Sequence, residues 1–197
     1  MSSIKNKRIL DVLNGLPVDK TPVWIMRQAG RYLPEYKETR KKAGSFLGLC
    51  KNPALASEVT IQPLRRFDLD AAIIFSDILT IPDAMGLELK FEDNRGPFFD
   101  KPLSNSEEVN SLDPNNIAEK LDYVANAIIE TKTKLNDEVP LIGFSGSPWT
   151  LSTYMVEGSA TKDFRKIRSA VFNNAEMIER LIEKLTFSIT DYLVMQA

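Results

Sequence analysis

Residues 70–75 read DAAIIF, a continuous apolar run that is followed at once by the polar pair Ser76 and Asp77. A run without polar alternation is typical of a strand that is buried on both faces of a parallel sheet. A second run, VPLIGF at residues 139–144, ends in the turn-forming residues SGSP. Parallel strands need long crossover connections, so a chain built around these runs is restricted to folds in which strands and helices alternate.

Helical periodicity fills the segments around these runs. Residues 53–66 and 114–135 each carry a proline where a first helical turn is expected, and a last amphipathic pattern covers residues 174–197. The helix at 53–66 is expected to pack on the sheet. Residues 86–102, which are rich in Gly, Pro and charge, indicate a hairpin or an extended loop. The fold class is therefore α/β, with a barrel or a doubly wound sheet as the candidates.

Size and charge exclude several classes of function. A chain of 197 residues that is 43% hydrophobic can bury one substantial core, so we expect a single domain over residues 1–197. The net charge of -2 argues against a nucleic-acid partner. No run reaches the roughly 20 apolar residues of a membrane span, and no leader-like apolar segment follows Met1. The single cysteine, Cys50, fits a reducing compartment, and we expect a cytoplasmic protein.

The chain contains no histidine. A Ser-His-Asp triad, a Cys-His pair and histidine-ligated zinc are therefore excluded within it, and neither a cysteine cluster nor a P-loop takes their place. Chemistry must come from carboxylates, arginines and tyrosines.

The first candidate site is residues 22–36, PVWIMRQAGRYLPEY, where Arg27 and Arg31 stand four apart around Gly30. Guanidinium groups bind carboxylates in a planar, bidentate manner, so a close arginine pair suits a substrate that carries several carboxylates. The alternative is that both arginines lie at the surface and pair with Glu35 or Glu38, as exposed ions commonly do.

The second candidate is Asp77, because ligands bind in the loops at the carboxyl ends of parallel strands in barrels and in open sheets. A carboxylate there can stabilise a developing cation. The alternative is that Asp77 caps a helix over residues 78–85.

The third candidate is Tyr154, in residues 143–158, GFSGSPWTLSTYMVEG. Pro148 suits the first turn of a helix, which would place Tyr154 about a turn and a half further in, able to offer its hydroxyl. The alternative is a tyrosine with a buried ring and a solvated tip, beside glycines and serines that only form a turn.

Together these stretches resemble the uroporphyrinogen decarboxylase family. Residues 22–36 and 143–158 look like its two signatures, and residues 64–79, LRRFDLDAAIIFSDIL, are similar to its aspartate-bearing strand. The resemblance runs from about Leu10 to the last residue. It implies a partial (β/α)8 TIM barrel of about four βα units, with the carboxyl-terminal part missing, and a homodimer at full length.

The resemblance also implies a reaction and a set of roles. Uroporphyrinogen III would lose four carboxyl groups from its acetate side chains to give coproporphyrinogen III, without metal, flavin or other cofactor. Arg27 and Arg31 would hold substrate carboxylates, helped by the backbone of Gln28, Ala29 and Gly30. Asp77 would sit beneath the macrocycle and accept hydrogen bonds from pyrrole N–H groups, and Tyr154 would hydrogen-bond near the reacting acetate or the ring. The proton donor is left open.

Two other classes of function remain for comparison. A barrel methyltransferase of related architecture would need a His, Cys and Glu ligand set for zinc, and the chain shows no such set. The second alternative is a catalytically inert fragment that only binds tetrapyrrole or a partner chain. The resemblance also implies that the binding cleft includes a serine or threonine and a late histidine from a carboxyl-terminal half that is missing here, so the isolated chain is expected to be inert if that alternative holds.

Overall fold

The computed structural model of the chain describes residues 4–26, 28–92 and 96–197. In chain order the helices and strands are α1 (Arg8–Leu13), α2 (Pro34–Lys42), α3 (Phe46–Cys50), α4 (Pro53–Arg66), β1 (Ala72–Ile73), α5 (Thr80–Ala84), β2 (Leu89–Glu92), β3 (Gly96–Phe99), α6 (Ser106–Ser111), α7 (Ile117–Lys120), α8 (Asp122–Leu135), β4 (Leu141–Ile142), α9 (Pro148–Glu157), α10 (Arg165–Asn173) and α11 (Ala175–Gln196).

The two apolar runs form a parallel pair, as predicted, but the pairing is short. Strand β1 pairs with β4 over two residues in each strand, with Ala72 opposite Leu141. Beyond the pair, the backbone of the first run bonds to other segments: the amide of Asp70 donates to the carbonyl of Val23 at 2.8 Å, and the amide of Phe75 donates to Oγ1 of Thr60 at 3.0 Å. The regular strand therefore covers only the middle of the apolar run.

The predicted hairpin at residues 86–102 is confirmed. Strands β2 and β3 form a separate antiparallel pair with Leu89 opposite Phe99 and Glu92 opposite Gly96. Across the ranges described, the structure has two separate two-stranded sheets, of which one is parallel and the other antiparallel. The α/β class is therefore confirmed, whereas four βα units are not formed by the described strands.

Helix α4 forms where its sequence predicts it and covers the parallel pair. The side chain of Asn52 caps the helix by accepting the amide of Leu55 at 3.1 Å, and Pro53 occupies the first turn. Its buried face meets both apolar runs: Ala56 packs with Ile74, and Ile61 packs with Ala72.

The single helix predicted for residues 114–135 is wrong, because the structure contains two helices. Asn116 adopts a left-handed conformation at φ 55, so the helix begins at Ile117 and not at Pro114. Leu121 then leaves the helical region at φ −111, ψ 27, and its side chain is 2% exposed. The carboxylate of Asp191, far along the chain, accepts the amide of Ala118 at 2.9 Å. This long-range contact could not be read from local periodicity.

The chain divides into two compact units. One consists of Met1–Ser76 with Tyr123–Phe144, and the other of Asp77–Asp122 with Ser145–Ala197. The first unit contains β1, β4 and α4; the second contains the hairpin and the 22-residue helix α11, whose predicted extent is confirmed within one residue at each end. Within the described stretches of chain, no helix combines the length and apolar character needed to cross a bilayer.

Candidate functional site

A buried carboxylate, Asp70, ties the start of the first motif to the start of β1. Its Oδ2 accepts the amide of Val23 at 2.7 Å, while its Oδ1 accepts Nδ2 of Asn6 at 2.9 Å and Nη1 of Arg8 at 3.1 Å. Burial by itself raises the pKa of Asp70, but the hydrogen bonds from Asn6, Val23 and Arg8 outweigh it and hold the pKa below its usual value.

The next segment is held by the side chain of Gln28. Its Oε1 accepts the amide of Ile25 at 3.1 Å, and the side chain is 4% exposed. Its Nε2 is shielded from solvent with no hydrogen-bond partner in the described part of the chain. Arg27 lies outside the described residues. Ala29 is partly buried against the cluster around Leu33, and Gly30 is buried.

Arg31 is exposed, and the pairing with Glu35 that an exposed position suggested does not form. Glu35 instead pairs with Arg66 at the end of α4, in a two-pronged contact whose Nη2–Oε2 distance is 2.9 Å. The hydrogen bond from Arg66 lowers the pKa of Glu35. The motif's glutamate therefore fixes α2 to α4 and does not neutralise Arg31.

The end of the first motif contacts the end of the aspartate-bearing strand. The rings of Tyr36 and Phe75 meet edge to face with centroids 6.2 Å apart. Phe46 also packs on the ring of Phe75, with centroids 5.8 Å apart. Tyr36 is 4% exposed, and burial raises the pKa of its hydroxyl. Val23 at one end of β1 and Tyr36 at the other thus bring residues 23–26 and 28–36 alongside the strand that leads to Asp77.

Asp77 forms a local turn and not the helix cap that was the alternative. Its Oδ1 accepts the amide of Leu79, two residues on, at 2.8 Å, an Asx turn. Its carbonyl accepts Oγ1 of Thr80 at 2.8 Å. Helix α5 starts at Thr80, and its cap residue is Leu79. Asp77 is half-buried, and the turn fixes one of its two carboxylate oxygens.

The second motif begins as predicted. Ser147 caps α9 by accepting the amide of Thr150 at 3.1 Å, and Pro148 occupies the first turn. A Cβ on Gly146 would lie 2.6 Å from Cδ2 of Leu151 and 3.2 Å from Cβ of Ile78. Only a glycine permits this close approach. The loop before α9 therefore lies against the residue that follows Asp77.

Tyr154 is half-buried and lies in the seventh position of α9, so its predicted place along the helix is confirmed. Its carbonyl accepts the amide of Gly158 at 2.8 Å, and the carbonyl of Gly158 accepts the amide of Phe99 at 2.7 Å. Gly158 ends the helix in a left-handed conformation at φ 89. The helix that carries Tyr154 is thus fixed to the hairpin by backbone hydrogen bonds.

The candidate residues are distributed over both units. Gln28, Ala29, Gly30 and Arg31 belong to the first unit, whereas Asp77 and Tyr154 belong to the second. Two surface depressions, a groove of about 870 Å³ and another of about 550 Å³, are lined by other residues. Over residues 4–26, 28–92 and 96–197, no three His, Cys, Asp or Glu side chains are grouped to hold a metal ion.

Sequence reasoning missed three residues that shape this region: Asp70, Phe75 and Gly146. An acidic residue that opens an apolar strand was a usable signal for Asp70, because a buried carboxylate needs donors. The roles of Phe75 and Gly146 depend on contacts with distant segments, for which the sequence carries no local signal.

Comparison with known proteins gives consistent results. A family model described as uroporphyrinogen decarboxylase (URO-D) matches residues 4–197. A uroporphyrinogen decarboxylase of Teredinibacter turnerae is 56% identical over 193 residues, covering 98% of this chain and 54% of that protein. That of Vibrio campbellii is 57% identical over 193 residues, with the same coverage of 98% and 54%. The chain spans about half the length of the curated relatives it matches.

Among solved structures, a methyltransferase from Methanosarcina mazei superposes with a TM-score of 0.73 at 20% identity. The superposition covers 94% of this chain and 53% of the methyltransferase. At this identity the likeness concerns the fold alone.

Proposed function

The chain belongs to the uroporphyrinogen decarboxylase family, and on that premise we propose that it supplies part of a site that decarboxylates uroporphyrinogen III to coproporphyrinogen III. The observation that carries the proposal is the family match over residues 4–197, which includes both motifs and the strand between them. The contact between Tyr36 and Phe75 supports it, because it holds the arginine motif beside the strand that leads to Asp77.

In this proposal Arg27 and Arg31 bind carboxylates of the substrate. Arg31 is exposed, and its neighbour Glu35 is occupied by Arg66, so its guanidinium is available for a planar, bidentate contact with a carboxylate. The backbone of Gln28, Ala29 and Gly30 assists, and the Gln28 clamp on Ile25 keeps that backbone in place. Arg27 takes its role from the family motif.

Asp77 is proposed as the group that stabilises the transition state. Loss of carbon dioxide from a pyrrole acetate is easier once the ring has been protonated at carbon, which makes the ring cationic. A fixed carboxylate beneath the macrocycle accepts pyrrole N–H groups and stabilises that cation in a water-poor site. The Asx turn supports this role, because it holds the carboxylate by Leu79 before substrate arrives.

Tyr154 is proposed to hydrogen-bond near the reacting acetate. Its half-buried position in α9 and the fixed ends of that helix, at Ser147 and Gly158, support a hydroxyl with restricted movement. Such restriction favours catalysis, since small misplacements can cost about 100-fold in rate.

The wider architecture is part of the same proposal. We infer that residues 1–197 form one domain of a (β/α)8 barrel whose other part corresponds to the length of the relatives that this chain does not span. The parallel pair β1 and β4 supports this inference, because parallel neighbours joined through helices are the unit of such a barrel. The full-length protein would be a cytoplasmic homodimer that uses side chains alone for its chemistry.

The test is an assay of purified chain with anaerobically prepared uroporphyrinogen III, in which carbon dioxide release and porphyrin products are measured beside a binding titration. Products with fewer carboxyl groups are expected if the residues present form a working site. Binding without product would support the inert-fragment alternative. If a chain that is shown to be folded gives no binding and no product, that result would contradict the proposed carboxylate-binding role.

A further inference from the structure

Helix α10 exposes a phenylalanine and two arginines on one face. The helix packs against α9 and α11 through Ile167, which is fully buried. Phe172, by contrast, is 86% exposed. Arg165 and Arg168 precede it by seven and four residues, a spacing that places all three on one helical face. The helix sequence, RKIRSAVFN, contains no acidic residue. An exposed aromatic ring beside arginines has the composition that is enriched at protein interfaces.

The same unit carries a groove of opposite character between α7 and α11, with a volume of about 870 Å³. Its apolar floor includes Phe187 and Val194, which are 58% and 71% exposed. Its acidic groups are Glu119, Glu183 and Asp191. None of the described residues that line it is a lysine or an arginine. The groove therefore suits a basic partner that carries an apolar anchor.

The two surfaces do not satisfy each other within one chain. Phe172 is not among the residues that line the groove, and at 86% exposure it is left uncovered by the described part of its own chain. Among the described residues, Arg165 forms an ion pair with Asp163 at 3.2 Å, and both side chains are mostly exposed. An exposed pair of this kind is weak and leaves the arginine available.

We propose that the partner is a second copy of this chain, with the Arg165–Arg168–Phe172 face of α10 seated in the α7–α11 groove of its neighbour. The charge complementarity of the two surfaces supports this occupant, since the basic face and the acidic groove attract each other and Phe172 supplies the anchor. The contact joins two different surfaces, so it is heterologous and builds open chains or rings. It differs from a closed homodimer and does not rest on the proposed enzymatic function.

Sedimentation velocity of the purified chain over a wide range of concentration tests this contact. The average mass is expected to rise above that of the monomer with concentration and to fall as salt is raised, because screening shortens the range of the attraction. Phe172→Ala should weaken association at least tenfold. Phe67→Ala, which truncates another exposed phenylalanine (44%) outside both surfaces, is the matched control and should associate like the wild type.

A charge-reversal pair tests the register. Arg168→Glu is expected to weaken association, and the added Glu183→Lys should restore it when both changes are in one chain. Three results would each overturn the proposal: a monomer at every concentration, which would leave the groove to another part of a longer chain or to solvent; association unchanged by Phe172→Ala; or no restoration by the double change.

Discussion

At the scale of single residues, the first motif separates into side chains that hold the loop and one that faces outward. Gln28 and Tyr36 are each 4% exposed, and they fix the backbone through Ile25 and Phe75. Arg31 is exposed between them, while Glu35 is bound by Arg66. The buried residues therefore hold the backbone on both sides of an exposed cation.

Arg31→Gln should weaken binding of uroporphyrinogen by roughly tenfold or more, since a hydrogen bond to a charged group contributes about 1.5–3 kcal/mol. Stability should change little because the side chain is exposed. Lys37→Gln, which removes an exposed charge in α2, is the control and should leave affinity near that of the wild type. Equal affinity of the Arg31 variant and the control would argue against a carboxylate contact. Titration by quenching of intrinsic fluorescence gives the comparison.

Asp70→Asn should lower the free energy of unfolding at pH 7 by roughly 2 kcal/mol, because the bond from Arg8 loses its charged acceptor. The pKa of Asp70 is depressed in the folded chain, so its contribution is complete above the unfolded pKa of about 3.9 and is lost as pH falls through the folded value. The stabilities of the two proteins should therefore begin to converge below about pH 4 and meet below the folded pKa of Asp70. Asp19, whose pKa is lowered to about 2 by the hydrogen bond from Arg8, is present in the wild type and in the variant, so its titration does not contribute to the difference between them.

Urea unfolding at several pH values measures this difference. Asp68→Asn, at a carboxylate that is 86% exposed and paired with Lys20, is the control and should cost little at any pH. If the difference in free energy of unfolding between the wild type and Asp70→Asn stays constant from pH 7 to pH 3, the charge of Asp70 does not stabilise the hydrogen-bond network.

At the scale of elements, the sequence predicted those whose signals are local. Helix α4 carries its cap Asn52, its first-turn proline and its apolar face within one segment, and the glycines and prolines of residues 86–102 marked the hairpin. Helix α2, PEYKETRKK, went unpredicted because it has almost no apolar periodicity and is buried mainly through Tyr36. The length of β1 was overestimated because Thr60 of another element accounts for the amide of Phe75.

The candidate site was predictable in part for the same reason. The positions of Pro148 and Tyr154 along α9 followed from helix-start chemistry. The turn at Asp77 and the approach of Gly146 to Ile78 did not, because each depends on how a loop folds back after its strand. Local pattern gives residue types and order, whereas the contacts among loops require the fold.

Gly158→Ala should destabilise the chain by about 1–3 kcal/mol, since the residue adopts φ 89 and a left-handed alanine is costly. The new Cβ would also lie 3.3 Å from the carbonyl oxygen of Phe99. Gly44 has a similar conformation, φ 72, but no atom lies within 4 Å of a Cβ added there, so Gly44→Ala is the comparison. Gly158→Ala should therefore be the more destabilised of the two in urea. Equal midpoints would mean that the approach to Phe99 is unimportant.

At the scale of the whole molecule, family membership and length must be considered together. The match covers residues 4–197, yet the chain spans about half of its relatives. The residues proposed to bind substrate are present, whereas a barrel of eight strands requires more chain than is given. We therefore expect the site residues of this chain to support decarboxylation once the remaining part of the barrel is supplied.

The most direct measurement joins residue 197 to the part of the Teredinibacter turnerae relative that this chain does not span, and assays the fusion for carbon dioxide release from uroporphyrinogen III. We expect decarboxylation to coproporphyrinogen III, and a loss of at least roughly 100-fold in rate when Asp77 is replaced by Asn. A folded fusion that releases no carbon dioxide, or one that is unaffected by Asp77→Asn, would contradict the assignment of the site to these residues.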